Sequence, residues 1–412
     1  MVKKNMFMIK FAILAMTFNA FCGGSLTPAL ADIMKAFPQV PPSVVMMLVT
    51  LPSLIMVPFT LLTGVIAGRY VKYRTCLLLG FGLFAITGAA PVFLNDFNVI
   101  MVMRALNGAA TGLIGPLYMA LIFRLIPVEE RAGLMGLTGV FMSLSAMVFS
   151  MIGGFLAVMD WHLTFLTNLF SVFMLIIVFF FVPEPEDVPA GPATAGGPMG
   201  GPAAAPQKPK MPAMVWVICI LFGIYNLLFM PTTLNISPII VTGGMGNAAI
   251  AGTVITVNTL GGMVAGLIFG KVFQKLTRFT LPLGFGIGCV GLILFLAANS
   301  LPLIFVAMAV MGFGFALGGP AINMAIGAIA PPQLIALATS ALNVCMGIGG
   351  FASSLFAAGL AGALGVTGMA ALKLPFIVFL IGVAGFTVIY VLYNLMKKPA
   401  PAVPGGPAGM AQ

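Results

Sequence analysis

Acidic residues are scarce in this sequence. Only 8 of its 412 residues are Asp or Glu, and none follows Asp187. Charged residues of both signs together make up 6%, against about 25% in ordinary soluble domains. There is one histidine, His162, and the five cysteines, Cys22, Cys76, Cys219, Cys289 and Cys345, show no C-x-x-C spacing. These shortages exclude several classes of chemistry. Clusters of His, Cys and carboxylate that could hold a metal are missing, so no metal and no cofactor is expected. A hydrolase needs a nucleophile held beside a base, and the chain has a single histidine and no Gly-x-Ser-x-Gly; an enzyme is not expected. The cysteines all sit in apolar runs and read as small buried thiols. Apolar and polar residues do not alternate along those runs, which argues against a transmembrane β-barrel.

Apolar residues fill the space left by charge. They make up 61% of the chain, with a mean hydropathy of +1.17. A helix needs about 20 apolar residues to cross the hydrocarbon of a bilayer. Runs of that order fall at about 7–32, 43–68, 75–94, 98–124, 133–158 and 162–182, then 212–241, 248–270, 280–299, 301–329, 334–366 and 373–396. The expected fold is an all-α polytopic membrane protein with twelve transmembrane helices in two pseudo-symmetric six-helix bundles. Residues 1–182 form the first bundle, 183–211 a flexible linker, 212–396 the second bundle and 397–412 a disordered tail. Linker and tail are rich in Pro, Gly and Ala and poor in large apolar residues, a composition that cannot build a core. Lys3, Lys4, the apolar run from Phe11 and the small residues Ala29-Leu30-Ala31 imitate a secretory signal. That run is long enough to span and has a counterpart in the second half, so it reads as the first transmembrane helix.

A net charge of +10 is a feature of nucleic-acid-binding proteins, but the basic residues lie in separate short loops without an aromatic-basic surface. Their distribution serves orientation instead. Of 18 Lys and Arg residues, only Lys35 and Lys373 fall on one side of the predicted helices and Arg104 lies within one; all the rest fall on the other side. Basic loops stay in the cytoplasm, which places both termini and the linker there, in a bacterial-type inner or plasma membrane. A bilayer and a small-molecule substrate are the expected partners, with a coupling ion open and a monomer as the expected state.

The two halves repeat each other. Gly64-Val65-Ile66-Ala67-Gly68-Arg69 runs on to Lys72 and Arg74, and Gly266-Leu267-Ile268-Phe269-Gly270-Lys271 runs on to Lys275 and Arg278, about half the chain further on. In each, an apolar run ends in Gly-x-x-x-Gly and turns basic, the pattern of a helix leaving the membrane. Gly115-Pro116 corresponds to Gly319-Pro320, Pro127 to Pro331, and Phe18-Asn19 to Tyr225-Asn226. Matches in register along the chain indicate two parallel repeats.

Six plus six helices with a basic loop between helices two and three, repeated between eight and nine, resemble the major facilitator superfamily. The family's loop motif G-x-x-x-D-R-x-G-R-[RK] is approximated by Gly64, Arg69 and Lys72, with Gly68 in the place of the aspartate and Val71 in that of the second glycine. Its fourth-helix motif R-x-x-x-G is met by Arg104 and Gly108, followed by Gly112. The fifth-helix motif of drug and metabolite exporters survives as Gly153-Gly154, with Phe149-Ser150 at the Gly-Pro positions, and Trp161-His162 before Phe165 is similar to the start of helix six in those exporters. The resemblance implies a mid-membrane substrate site between the halves that opens alternately to each side. It also implies that the loop aspartate helps to hold the halves together; with Gly68 and Gly270 in its place, the cytoplasmic closure is expected to be looser.

Candidate functional residues follow from cost. A guanidinium in an apolar helix costs about 2.5–3.5 kcal/mol, so Arg104 must find acceptors, either as a structural arginine bonded to a neighbouring helix or as the partner of an anionic substrate. Buried amides must also be satisfied by protein or cavity water. Asn19, Asn226, Asn107, Asn258 and Asn323, with Tyr118 and Tyr225, are the candidate substrate contacts, and Asn343 lies in a helix as well. Asp32 and His162 are the candidate coupling groups, both near the side opposite the basic loops. Gly64, Gly68, Arg69, Lys72, Gly108, Gly112, Gly266, Gly270, Lys271, Gly319 and Pro320 are expected to serve packing and gating. The expected function is secondary or facilitative transport of a small apolar or anionic organic molecule, with efflux favoured. Organic-anion uptake or exchange is the alternative, and a non-transporting membrane sensor represents a different class.

Overall fold

A computed structural model describes residues 2–68, 70–184, 211–276, 279–318, 322, 329 and 335–396. Arg69, Gly319, Pro320 and Asn323, most of the linker and the tail lie outside the described residues. Among the described residues, eleven helical segments are long and apolar enough to cross a membrane, and a twelfth is shorter. In chain order they are α1 (Met6–Ala36), α2 (Pro42–Ile66), α3 (Tyr73–Phe93), α4 (Phe97–Leu125), α5 (Gly133–Met159) and α6 (Trp161–Phe181). The second half holds α7 (Ala213–Thr242), α8 (Ala248–Leu276), α9 (Thr280–Ala297), α10 (Leu301–Ala316), α11 (Ile335–Ala363) and α12 (Gly368–Met396).

Few charged residues mark the ends of these helices, and the available ones act as caps. Asp96 accepts from the backbone N–H groups of Asn98 (2.8 Å) and Val99 (3.2 Å) at the start of α4. Asp160 accepts from the His162 N–H (2.9 Å) at the start of α6. Both satisfy amides that a helix start leaves unpaired. The loops rich in Lys and Arg lie at one end of the bundle, called here the basic face; the opposite end is the far face.

α1 is not a regular helix. An α-helical stretch ends at Phe18, a 3-10 segment runs from Asn19 to Ala29, and α-helix resumes at Leu30–Ala36. Gly23, Gly24 and Pro28 lie in the tightened stretch, the residue types at which helical hydrogen bonding gives way. α7 is interrupted in a similar place, ending at Leu234 and resuming at Ile236.

Each half has its own core. In the first, Phe81, Leu77, Ile13, Met16 and Leu121 meet from α1, α3 and α4; in the second, Phe295, Phe376, Phe379, Leu292 and Met308 meet from α9, α10 and α12. A further cluster joins the halves at the far face, where Leu26, Leu30, Ile33 and Phe165 pack with Leu234 and Ala248. Here α5 and α8 touch backbone to backbone. A Cβ on Gly154 would strike the Ala248 carbonyl and one on Gly252 the Ser150 carbonyl, so only glycine permits this approach. Cross-half hydrogen bonds run from hydroxyl to carbonyl: Ser150 to Gly252 (3.4 Å) and Thr256 to Met147 (3.2 Å). Ser237 of α7 donates to the Pro28 carbonyl and accepts from the Ala31 N–H (3.4 Å) on α1.

The paired Gly-x-x-x-Gly stretches end differently. α2 stops at Ile66, and Gly68 adopts a left-handed φ of +73°. The second copy was expected to leave its helix at Gly270, but α8 continues to Leu276, carrying Lys271 and Lys275 with it. Val272, Phe273, Gln274 and Lys275 extend that helix without a Gly or Pro to stop it.

Candidate substrate cavity

Phe222, Tyr225 and Phe229 are spaced three and four residues apart on α7 and so fall on one face. Their rings are nearly parallel: the Phe222 and Tyr225 centroids lie 5.6 Å apart at 2°, and those of Tyr225 and Phe229 5.6 Å apart at 9°. α9 adds Phe285, parallel to Tyr225 at 5.6 Å, while Phe315 of α10 meets Tyr225 edge-on at 6.4 Å. Offset and edge-on contacts of this kind are favoured by the ring quadrupole. The aromatic wall borders a cavity of about 920 Å³ between the halves. α5 contributes Met135, Gly139 and Ser143, α8 contributes Asn258, Thr259 and Gly266, and α11 contributes Met346. These α5 and α8 residues lie on the basic-face side of the closed seam at Gly154 and Gly252.

The polar groups of this wall are neutral. Asn226 donates from Nδ2 to the Phe222 carbonyl (3.2 Å), and Asn258 donates from Nδ2 to the Met308 carbonyl on α10 (3.0 Å). A carbonyl can only accept, so in each case the amide nitrogen must face it. Each Oδ1 is left without a protein donor among the described residues. Gly312 makes the Asn258 position possible, since a Cβ there would strike the Asn258 backbone carbonyl and its Nδ2. Ser143 and Thr259 turn their hydroxyls to carbonyls of their own helices, Gly139 (3.1 Å) and Ile255 (3.1 Å).

The remaining candidates are held elsewhere. Arg104 is 3% exposed. Its Nε donates to the Leu48 carbonyl of α2 (2.7 Å) and its Nη1 to Asn107 Oδ1 (3.3 Å), while Asn107 Nδ2 donates to the Phe84 carbonyl of α3 (3.3 Å). Arg104 and Asn107 thus tie α4 to α2 and α3. Asn19, the counterpart of Asn226, accepts from Ser171 Oγ of α6 (3.1 Å). Tyr118 packs against the first-half core. Asn343 is exposed on α11. Of the helix pairs, the structure therefore brings Tyr225, Asn226 and Asn258 to the cavity and keeps Asn19, Arg104, Asn107 and Tyr118 within the first half.

At the far face, Asp32 pairs with Lys35 (3.2 Å). His162 Nδ1 lies 2.8 Å from Asp160 Oδ1, and its ring stacks on Trp161 with centroids 3.6 Å apart. The His162 backbone N–H, then the ring contact, hold the Asp160 carboxyl below its ordinary value. Gly108 and Gly112 pack against the α2 backbone at Pro52 and Met56, whereas Gly64, Gly266 and Gly270 face open space. Lys72 and Lys271 are exposed.

The basic face contains a contact that motif reading did not reveal. Glu184, after α6, accepts from the backbone N–H groups of Tyr73 (2.6 Å) and Arg74 (2.9 Å). It caps α3 just past the loop in which Gly68 replaces an acid. Arg74 donates to the Phe179 carbonyl and lies over the Phe179 ring at 4.8 Å. Lys10 of α1 pairs with Glu130, in the helical turn that leads into the α5 span, at 2.7 Å. The aromatic wall was also missed. Its signal was the spacing of Phe222, Tyr225 and Phe229, which in a chain with 35 phenylalanines does not stand out.

Among the described residues, no group of three or more His, Cys, Asp or Glu side chains could hold a metal ion. The family model of the Major Facilitator Superfamily matches residues 12–246 and again 232–410. No curated protein sequence matches the chain. The fold is similar to a bacterial homologue of the human lysosomal transporter Spinster in an inward-facing, unoccupied conformation, with a TM-score of 0.71 at 14% identity over 97% of this chain and 99% of that one. It is similar as well to the human organic anion transporter MFSD10, with a TM-score of 0.66 at 15% identity over 93% and 98%. The nucleoside transporter NupG gives a TM-score of 0.68 at 12% identity over 94% and 100%. With both halves matched by the family model and a multi-pass helical fold, the chain belongs to the major facilitator superfamily of membrane transporters.

Proposed function

We propose that the protein carries a small, largely apolar organic molecule across the membrane by alternating access, as a secondary or facilitative transporter with efflux the favoured direction. The observation that carries this reading is the cavity of about 920 Å³ between two halves that meet closely on the far face. A central site with one side sealed is what alternating access requires. The concentration of Lys and Arg on the basic face supports a cytoplasmic location for that face, with both termini and the linker inside and the cavity on the inner side. The moving units on this reading are residues 1–182 and 212–396. Each chain has its own cavity, so the monomer is the working unit. Resemblance to drug and metabolite exporters in Gly153-Gly154 and Trp161-His162 supports efflux.

An organic-anion carrier would need a cation on this wall, and Arg104 is instead bonded to Leu48 and Asn107. Among the described residues the wall carries no carboxylate either, so transport should depend weakly on a proton gradient. Counterflow in proteoliposomes tests the reading. A ligand shown to bind should exchange across the membrane with little response to an imposed pH gradient. Binding without exchange for every ligand would refute transport. Strict proton dependence that survives Asp32→Asn and His162→Gln would mean that a proton carrier lies elsewhere.

A further inference from the structure

We infer that the cavity takes an uncharged aromatic molecule carrying an N–H or O–H donor. This rests on the transport reading in one respect, that the cavity is the substrate site. Charge is the first ground. α5, α7, α9, α10 and α11 contain no Asp, Glu, Lys, Arg or His, and α8 has only Lys271 and Lys275 near its end. No acidic residue follows Asp187 anywhere in the chain. A charged ligand in this low-dielectric wall would leave water without gaining a counter-ion. A bare ammonium could draw on ring faces, but Phe222, Phe229 and Phe285 all lie nearly parallel to Tyr225. Phe315 stands edge-on to Tyr225, and among the described residues the cavity wall holds no acidic group to complete a cation site.

Hydrogen bonding is the second ground. The Nδ2 groups of Asn226 and Asn258 are turned to the carbonyls of Phe222 and Met308, which directs both amide oxygens away from those carbonyls. The free polar capacity of the two amides is therefore weighted toward acceptance. Each Nδ2 keeps one N–H beside the two lone pairs of its Oδ1, so a ligand with donors engages more of this capacity than a ligand with acceptors alone. Shape is the third. A flat ring can add to the stacked face of Phe222, Tyr225 and Phe229 at offset-stacking distance, and the cavity is within the range of roughly 300–1,000 Å³ that holds small organic ligands.

Four compounds sharing one ring separate these features: indole-3-acetamide is neutral with donors, indole-3-acetate is an anion, tryptamine is a cation, and 1-methylindole-3-(N,N-dimethyl)acetamide is neutral without donors. Equilibrium binding is measured on the full chain in phosphatidylcholine nanodiscs. Indole-3-acetamide should bind at least tenfold tighter than indole-3-acetate and tryptamine, and at least fivefold tighter than the donor-free amide. Asn258→Leu should bring indole-3-acetamide down to the level of the donor-free amide while leaving the latter unchanged. If that variant does not fold, the four affinities of the native chain decide alone. Equal or tighter binding of either charged compound, equal binding of the donor-free amide, or saturable binding of none of the four overturns the inference. Counterflow of whichever compound binds keeps the two readings apart. Binding of indole-3-acetamide without counterflow refutes transport and leaves the ligand class standing. Counterflow of a charged compound refutes the ligand class and leaves transport standing.

Discussion

The hydroxyl of Ser237, on α7, donates to the carbonyl of Pro28, on α1. It also accepts from the Ala31 N–H at 3.4 Å, so one side chain from the second half bridges two backbone groups where α1 changes from 3-10 to α-helix. Ser237 is fully buried, beside an apolar cluster that contains residues from both halves. Among the described residues, the far face is thus closed by neutral hydroxyl–carbonyl bonds and close glycine packing, which can be undone without separating an ion pair.

Ser237→Ala should loosen this closure. The lost hydroxyl leaves buried backbone groups unpaired in the far-closed state, a penalty of about 1–3 kcal/mol. The far-open population should then rise at least about fivefold. The check is labelling by an impermeant maleimide, added from the far side, of a cysteine placed at Ala248, which is 1% exposed in the closed seam. An unchanged labelling rate would show that the apolar packing closes the seam by itself.

Arg104→Ala should weaken the first half without weakening ligand binding. It removes the donor to the Leu48 carbonyl and leaves Asn107 short of a partner, with an expected loss of about 1–3 kcal/mol seen as a lower melting temperature. Arg104→Lys should recover little, because an ammonium lacks the planar fork that reaches two acceptors at once. A melting temperature equal to that of the native chain, with binding abolished, would return Arg104 to the substrate site.

Glu184→Ala should uncap α3. The carboxylate meets two backbone donors, Tyr73 and Arg74, and loss of a side-chain cap costs about 0.5–2 kcal/mol. Hydrogen exchange of those two amides should accelerate while the amides of α9 are unaffected. Equal exchange would mean that water replaces the carboxylate at no cost.

Asp160 should make the far-face corner sensitive to acid. Its carboxyl is held below the ordinary value by the His162 backbone N–H and ring. The stabilisation is therefore complete above the unfolded value of about 3.9 and is lost as pH falls through the lower folded value. Asp160 is well exposed, so the effect is small. In melting scans across that range, Asp160→Asn should remove part of the native chain's loss of stability at the acid end. Parallel curves for the two proteins would show that the contact contributes nothing.

Much of the fold could be read along the chain. Twelve segments, the repeat and the clustering of basic residues follow from hydropathy and charge, which are local properties. The loop glycines show where such reading stops. Gly68 does take the left-handed conformation expected of a helix-ending glycine, but Gly270 sits inside α8. The loop motif lacks its acid, and Glu184 occupies the start of α3 from the end of α6, more than a hundred residues away in sequence. That substitution acts within the first half and does not bridge the two. The asparagines show the same limit. Asn19 and Asn226 are equivalent in the repeat, and one bonds to Ser171 while the other borders the cavity.

The sequence by itself determined that this is a membrane protein of two six-helix halves, with its basic residues gathered on one face and almost no charge in the helices. The reason is that bilayer thickness and the cost of burying charge act on each segment alone. Tertiary structure decided which amides face the cavity, that Arg104 serves its neighbours, and that Ser237 meets Pro28. Helices that are apolar all round carry no polar stripe to mark an inner side, so their rotation about their own axes is set by packing against other helices and can be seen only once those helices are in place.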